Sequence, residues 1–528
     1  MGRHRFACVL AIGLFTVGFR LALSAVLPHP QPAGHDEFGY ILGADIFAHG
    51  RVAEPTHPLW KFFESVFVLS RPAYAPKYPP AQAAFLALGQ VLFHDRFYGV
   101  LLSVALFSAA VCWMLQVYVR PAWALLGGIC TALYFGAGHY WTESYWGGAV
   151  AGLGAALLVG AFGRLRKERS VRSAAALGFG ALLLITSRPY ESSILIVLVS
   201  SALIPVVWKG WRASTLRAAL PILASLAIGP IVVLAYNYGV TGNPLKLPYV
   251  LHMEQYGTIP VFWFQDPLLP KHFENAGIQA ISEGVEIPAY KEIRSFPPLG
   301  RLGQNLMTIF GTILFDGGGL GLAPLVFLPI FRRDSTVRLF TWCAGLLTLA
   351  VLLETYLFLH YLAPLIVVGT LLGCMMLDRL WKRRKTSCRD RVVLVGVLSA
   401  MMLVGPAWRA VQAMGGHPGQ LYTNGGFGLR RAEIAQSILK QPGSHVVFVH
   451  YNPEQSPNVA WVANGADIDG ARLIWAHDRG AENRELQEYF KGRTFWRLED
   501  RAGKVTLVPY PSAIAERGPS NTPTPPAR

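Results

Sequence analysis

The stretch Gly34–Asp45, GHDEFGYILGAD, sets two adjacent carboxylates, Asp36 and Glu37, just past the first long apolar segment, where a water-facing loop begins. Ionised side chains at the edge of an apolar layer either face water or do chemistry there. Three more groups recur at the same edge: Lys77 in PKYPP, Arg188 in ITSRPYE and His360 in FLHYLAP. A carboxylate can take the proton of an attacking hydroxyl, and cations can stabilise a departing phosphate. Asp36 suits the first role, with Glu37 beside it to orient an acceptor or share a divalent metal ion. Lys77 and Arg188 suit the second, as does His360 if protonated or hydrogen-bonded to the phosphate.

Each group also has a plainer use. Asp36 can cap a helix that starts at Glu37. Lys77 and Arg188 can anchor helix ends at an interface, and His360 with Tyr361 can be an interfacial aromatic pair. Glu143, in WTESYWGG, is either a second acid facing the site or a helix cap. Asp45 is secondary, because on a continuous helix it faces away from Asp36. Arg20, inside the first apolar run, reads as a snorkelling or helix-paired charge rather than a ligand.

The chain that must position these groups has 528 residues, 52% of them hydrophobic and only 15% charged. Its mean hydropathy is +0.36. That composition excludes a soluble enzyme with one large core. Successive apolar stretches joined by short charged connections predict an all-α polytopic membrane protein of about 10–12 transmembrane helices. The net charge of +16 does not make nucleic acid a partner. The basic residues cluster in short loops between apolar segments, the pattern that orients membrane helices.

Apolar segments fall near 6–27, 80–93, 97–119, 122–138, 148–163, 173–187, 192–208, 216–236, 305–331, 339–357, 358–377 and 392–410. The first reads as an inserted span rather than a cleaved signal, since Arg20 interrupts it. The runs MGRHR, RLRKERSVR, KGWRASTLR, RRDSTVR and DRLWKRRKTSCRDR go to the cytoplasm. Outside lie the loop 28–79, the Glu143 turn, Arg188, the loop 237–304, His360 and everything after about Ala410. Four apolar segments between 80 and 163 break the alternation, and segment 80–93 is the candidate for a re-entrant element. Within the first loop, THPLWKFFESVFVLS is either an interfacial helix or an apolar stretch packed against the loop. Residues 1–410 thus form the transmembrane module, 411–510 a small α/β domain with strands SHVVFVHY, ARLIWAH, RTFWRLE and KVTLVPY, and 511–528 a disordered tail. TNGGFG reads as linker, not as a dinucleotide-binding loop.

One N-terminal span, then DEFGYILGADIFAHGRVAEP, then KYPPAQAAFLALGQVLF, resembles the GT-C membrane glycosyltransferases, notably the relatives of protein O-mannosyltransferases and lipid A aminoarabinose transferases. Asp36, Glu37 and Tyr40 match that family's Asp-Glu pair and Tyr. Lys77, Pro79 and Pro80 match its Lys-Pro-Pro element, with Tyr78 inserted. ITSRPYE is similar to its basic residue at a later helix end, and FLHYLAP to its aromatic-Pro element. The likeness covers 1–410 in layout and is specific in the first hundred residues. It implies a polyprenyl-phosphate sugar donor, inversion at the anomeric carbon and a site facing the periplasm. Tyr40, Tyr78, Glu143 and Tyr361 are the candidate substrate-lining residues. Glu143 with Ser144 stands where relatives often carry a second Asp, which leaves metal use open.

The expected activity is therefore transfer of a sugar from a polyprenyl phosphate to an envelope glycan, lipid or protein acceptor, with Asp36 as base. The alternative is a multi-span transporter or flippase of lipid-linked or anionic cargo. Transporters put their functional charges near the membrane midplane, often in repeated halves. Here the strongest acid pair lies in an outer loop.

Overall fold

The computed structural model describes residues 2–168, 170–205, 216–268, 271, 273–311, 319–383, 387–417, 426–451, 458–501 and 503–511. The tail after 511, the first half of TNGGFG and most of KGWRASTLR lie outside them. The first eight helices are α1 (Gly2–Ala22), α2 (His35–Ala48), α3 (Ala81–Phe93), α4 (Phe97–Leu115), α5 (Pro121–Phe135), α6 (Ala149–Leu165), α7 (Val171–Ile185) and α8 (Pro189–Ser201). Further long helices follow at Leu216–Thr241, Pro298–Gly311, Ser335–Leu352, Ala363–Lys382 and Cys388–Met414.

Six of the described helical segments are long and apolar enough to cross a membrane: His4–Ala22, Phe97–Leu115, Leu220–Thr241, Ser335–Leu352, Leu359–Lys382 and Cys388–Met414. Four shorter apolar helices, α3, α5, α6 and α7, complete a multi-pass membrane bundle. The shortest, α3, covers about 20 Å at the usual rise per residue, short of a ~30 Å hydrocarbon core. The stretch 305–331 is not one helix. A helix ends at Gly311 and a 3₁₀ segment runs from Gly319 to Phe331, with Pro324 and Pro329 inside it removing backbone donors.

The central core is apolar and α6 runs through it, with most of its residues buried. Arg20 is fully buried and forks onto Glu143, with Nε to Oε1 and Nη2 to Oε2 both at 2.8 Å. Its Nη1 donates to the Leu27 carbonyl at 2.9 Å. The charge is thus paired and hydrogen-bonded, the condition under which an ion pair survives away from water.

The remaining architecture gathers at one end of the bundle. In the first loop, β1 (Glu54–Pro55), β2 (Val68–Leu69) and β3 (Ala73–Pro76) form an antiparallel sheet with β3 in the middle. Near the C-terminus, β4 (His445–His450), β5 (Leu473–His477), β6 (Thr494–Arg501) and β7 (Lys504–Pro509) form a sheet in the order β5-β4-β6-β7. β4 is parallel to β5 and β6, and β7 returns antiparallel to β6. Its central strand reads VVFV, the continuous apolar run of a strand covered on both faces. Val446 and Phe448 pack with Leu42 and Ile46 of α2 and with Phe62 and Phe63 of the first loop. Val447 and Val449 pack with Phe38, Phe427 and Trp461.

The C-terminal sheet and the first loop therefore share a core. This is why THPLWKFFESVFVLS does not form an interfacial helix. It makes a 3₁₀ turn at Trp60–Phe62, buries Phe62 and Phe63, and continues into β2. The large loop joins the same assembly, as Tyr256 Oη donates to Glu64 Oε1 at 2.8 Å and Lys61 pairs with Glu274.

Candidate active site

Two faces of α2 explain how Asp36 is held. Phe38, Leu42 and Ile46 recur at helical spacing and bury against the C-terminal sheet. On another face Gly39 and Gly43 leave room for the chain entering α3. A β-carbon at Gly39 would stand 2.9 Å from Tyr78 Cε2, and one at Gly43 would stand 2.9 Å from the Ala83 β-carbon. The missing side chains let Tyr78 lie across the helix, where its hydroxyl donates to Asp36 Oδ1 at 2.5 Å. Tyr40, one turn on from Asp36, stacks on Tyr78 with ring centroids 4.4 Å apart.

Asp36 and Tyr78 line a cavity of about 760 Å³. Lys77, Arg188, Tyr40, His360 and Tyr361 line the same cavity. Groups separated by more than three hundred positions in the chain thus meet in one space.

Lys77 is only 7% exposed. Its Nζ stands 3.4 Å from the Phe67 ring centroid, 5.3 Å from Tyr78 and 5.1 Å from Tyr249, a three-ring cage that attracts a cation by its π-faces. Burial pulls the ammonium down to about 8, while the charges of Asp36 and Glu286 oppose that fall. Lys77 therefore stays mostly protonated at neutral pH, and among the described residues it forms no ion pair that would spend that charge.

Arg188 precedes Pro189, which sits in the first turn of α8. A residue before proline is kept out of helical geometry, so the turn at Arg188 is local in origin. Its guanidinium lies 4.4 Å from the Tyr361 ring centroid. His360 sits one turn before the helix Ala363–Lys382, and its Nδ1 shares a 3.0 Å hydrogen bond with Tyr140 Oη. The imidazole stacks on Phe358 and tilts against Trp146.

Two expected site residues are elsewhere. Glu37 does not line the cavity. Its Oε2 accepts from the Ala33 and Gly34 amides at 2.8 and 3.1 Å, and its Oε1 accepts from the Tyr145 amide at 3.0 Å. An acid three residues after the Gly34 cap satisfies amides that no helical carbonyl can reach, which makes Glu37 the capping carboxylate that Asp36 was weighed as. Burial pushes its carboxyl up to about 7 against those three donors. Glu143 is the second correction. Both its oxygens go to Arg20, and Oε1 also accepts from the Gly138 amide at 3.1 Å. A buried arginine claims this acid before any substrate can. Asp45 serves the C-terminal sheet, with Oδ2 accepting from the Ala466 amide at 2.7 Å.

The cavity also contains residues that sequence reasoning passed over: Glu191, Tyr249, His252, Glu286 and Glu354. Burial raises the Glu286 carboxyl, and burial together with the nearby Lys77 charge holds His252 well below its ordinary value. Glu354 had a signal, being a lone acid at the end of the apolar run Ser335–Leu352. His252 lies on the short helix Pro248–Gln255 and Glu286 ends the π-helical turn Ser282–Glu286, both within the stretch 237–304 that offered no periodicity to read. Among the described residues, no group of three or more His, Cys, Asp or Glu side chains is placed to hold a metal ion.

No protein-family model matches the chain, and no curated protein matches it. Solved structures do. ArnT from Cupriavidus metallidurans bound to undecaprenyl phosphate is 14% identical, with a TM-score of 0.50 over 98% of both chains. The apo form of that ArnT gives 13% identity and a TM-score of 0.49, again over 98% of each. The Archaeoglobus fulgidus oligosaccharyltransferase in complex with zinc and sulfate is 12% identical, with a TM-score of 0.49 over 93% of this chain and 68% of that one. At such identities the likeness is one of fold. The chain has a GT-C-like membrane fold with a small C-terminal α/β region, as the first hundred residues led us to expect.

Proposed function

We propose that the protein is a glycosyltransferase that moves a sugar from a polyprenyl phosphate to an envelope acceptor. One observation supports this most: Asp36, with one oxygen engaged by Tyr78 and no other side-chain partner among the described residues, shares a cavity with the cations Lys77 and Arg188. The ArnT structure of like fold holds undecaprenyl phosphate, which favours a lipid carrier of that kind here.

In this reading Asp36 Oδ2 takes the proton of the acceptor hydroxyl while Tyr78 steadies Oδ1. The acceptor oxygen forms its bond to the anomeric carbon as the bond from that carbon to the phosphate oxygen breaks, with inversion. The electron pair leaves on the phosphate, and Lys77 and Arg188 offset its charge. His360, fixed through Nδ1 by Tyr140, adds a contact to phosphate or sugar, and Tyr40 and Tyr361 wall the site. We place the N-terminus and the basic loops in the cytoplasm of a bacterial inner membrane, and the cavity with the unit 411–510 in the periplasm.

The test uses the purified full chain in detergent with radiolabelled polyprenyl-phosphate sugars and envelope acceptors. Label passing from lipid to acceptor supports the reading. Label that stays on every lipid while the same lipids are carried across reconstituted vesicles would sink it and favour a flippase.

A further inference from the structure

The cavity wall carries acids as well as cations. Lys77 sits in its ring cage near the charges of Asp36 and Glu286. Glu354 and Glu191 lie near one another and near Arg188.

Glu354 is built to be held still while its side chain is left with an unspent oxygen. The backbone on either side is pinned to the large loop: the Trp263 amide donates to the Leu353 carbonyl at 3.2 Å, and the Thr355 amide donates to the Val261 carbonyl at 2.9 Å. Phe262 and Glu354 form an isolated antiparallel bridge, and Trp263 Nε1 donates to the Leu352 carbonyl at 2.9 Å. The side chain so positioned is only 7% exposed, and nothing among the described residues donates to its Oε1. A buried carboxylate oxygen without a donor is costly, so proteins rarely keep one that no ligand uses.

We infer that Glu354, with Glu191 beside it, is the subsite that grips hydroxyls of the transferred sugar. The inference rests on the transfer reading above. A sugar brings neutral O–H donors, the partner that the free oxygen lacks. Glu354 acts as a specificity-determining residue rather than a base. Sites that hydrogen-bond a hydroxyl discriminate strongly against the analogue without it, because the buried polar group is then left alone.

The experiment compares wild type with Glu354→Gln and Glu354→Asp, using two probes: undecaprenyl phosphate without sugar, and the lipid-linked sugar that the wild type turns over. We expect Glu354→Gln to raise KM for the charged lipid about tenfold or more while leaving the affinity for bare undecaprenyl phosphate within about twofold. Glu354→Asp, which keeps the charge and shortens its reach, should fall between. The wild-type preference for the full sugar over its deoxy analogues should shrink in Glu354→Gln. Equal weakening of both probes, or an unchanged KM, would overturn the inference while leaving the transfer reading intact. A divalent ion that binds the wild type and is lost in Glu354→Gln would also overturn it, since the free oxygen would then be a metal ligand. A wild type that transfers from no donor removes the transfer reading and this inference with it.

Discussion

Asp36 and Glu37 are neighbours of the same chemistry with opposite employment, and the difference is made by three amides. Glu37 meets the Ala33, Gly34 and Tyr145 N–H groups and is spent on them; Asp36 meets one hydroxyl and the open cavity. Lys77 has the sharpest consequence at this scale. Its ordinary value of 10.5 is brought to about 8, mainly by burial. The charged form, which a phosphate needs, therefore predominates below about 8 and is lost as pH rises through it. We expect kcat/KM for the lipid donor to fall above about pH 8, and the limb for kcat to lie higher, because bound phosphate favours the ammonium. Lys77→Arg should carry the limb out of range. A limb that stays at the same pH in Lys77→Arg would assign it to another group.

Among the elements, α2 is the one on which the site depends, since it faces the C-terminal sheet through Phe38, Leu42 and Ile46 and faces Tyr78 through Gly39. Gly39→Ala should push the Tyr78 ring aside, costing about 1–3 kcal/mol of stability and lowering turnover. Tyr78→Phe should also lower turnover, and in that background Gly39→Ala should add little further loss, because both act through one hydrogen bond. Fully additive losses would mean that the glycine serves only packing. Much of this was legible in the chain. Asp36, Lys77, Arg188 and His360 each stand at the end of an apolar run, where a charge costs least, and a fold that gathers such ends gathers them. The roles of Glu37 and Glu143 were not legible. The first depended on Gly34 supplying a free helix start, and the second on Arg20 crossing the bundle to a turn more than a hundred residues away. Tyr249, His252 and Glu286 come from a loop whose course no periodicity announces.

On the scale of the whole molecule, the first loop, the large loop and the C-terminal sheet form one cap over the cavity. His477 Nε2 is hydrogen-bonded to the Glu64 carbonyl at 2.7 Å, and Tyr256 reaches the same glutamate from the large loop. Burial holds His477 down at about 4, so that joint carries no charge at neutral pH. The proposed orientation puts Cys388, an exposed thiol at the start of the helix Cys388–Met414, on the opposite side of the membrane from this cap. A membrane-impermeant maleimide should therefore leave Cys388 unlabelled in intact spheroplasts and label it after permeabilisation. Labelling in the intact state would turn the molecule over and move the cavity to the cytoplasm.

The central claim is that Asp36 takes a proton at a site whose cations hold the lipid phosphate. The direct measurement is single-turnover transfer by Asp36→Asn beside wild type, with donor binding followed in the same preparations. The account predicts donor affinity within a few-fold of wild type and a rate lower by roughly 10²–10⁴. Transfer at the wild-type rate by an Asp36→Asn protein that binds its donor normally would contradict it.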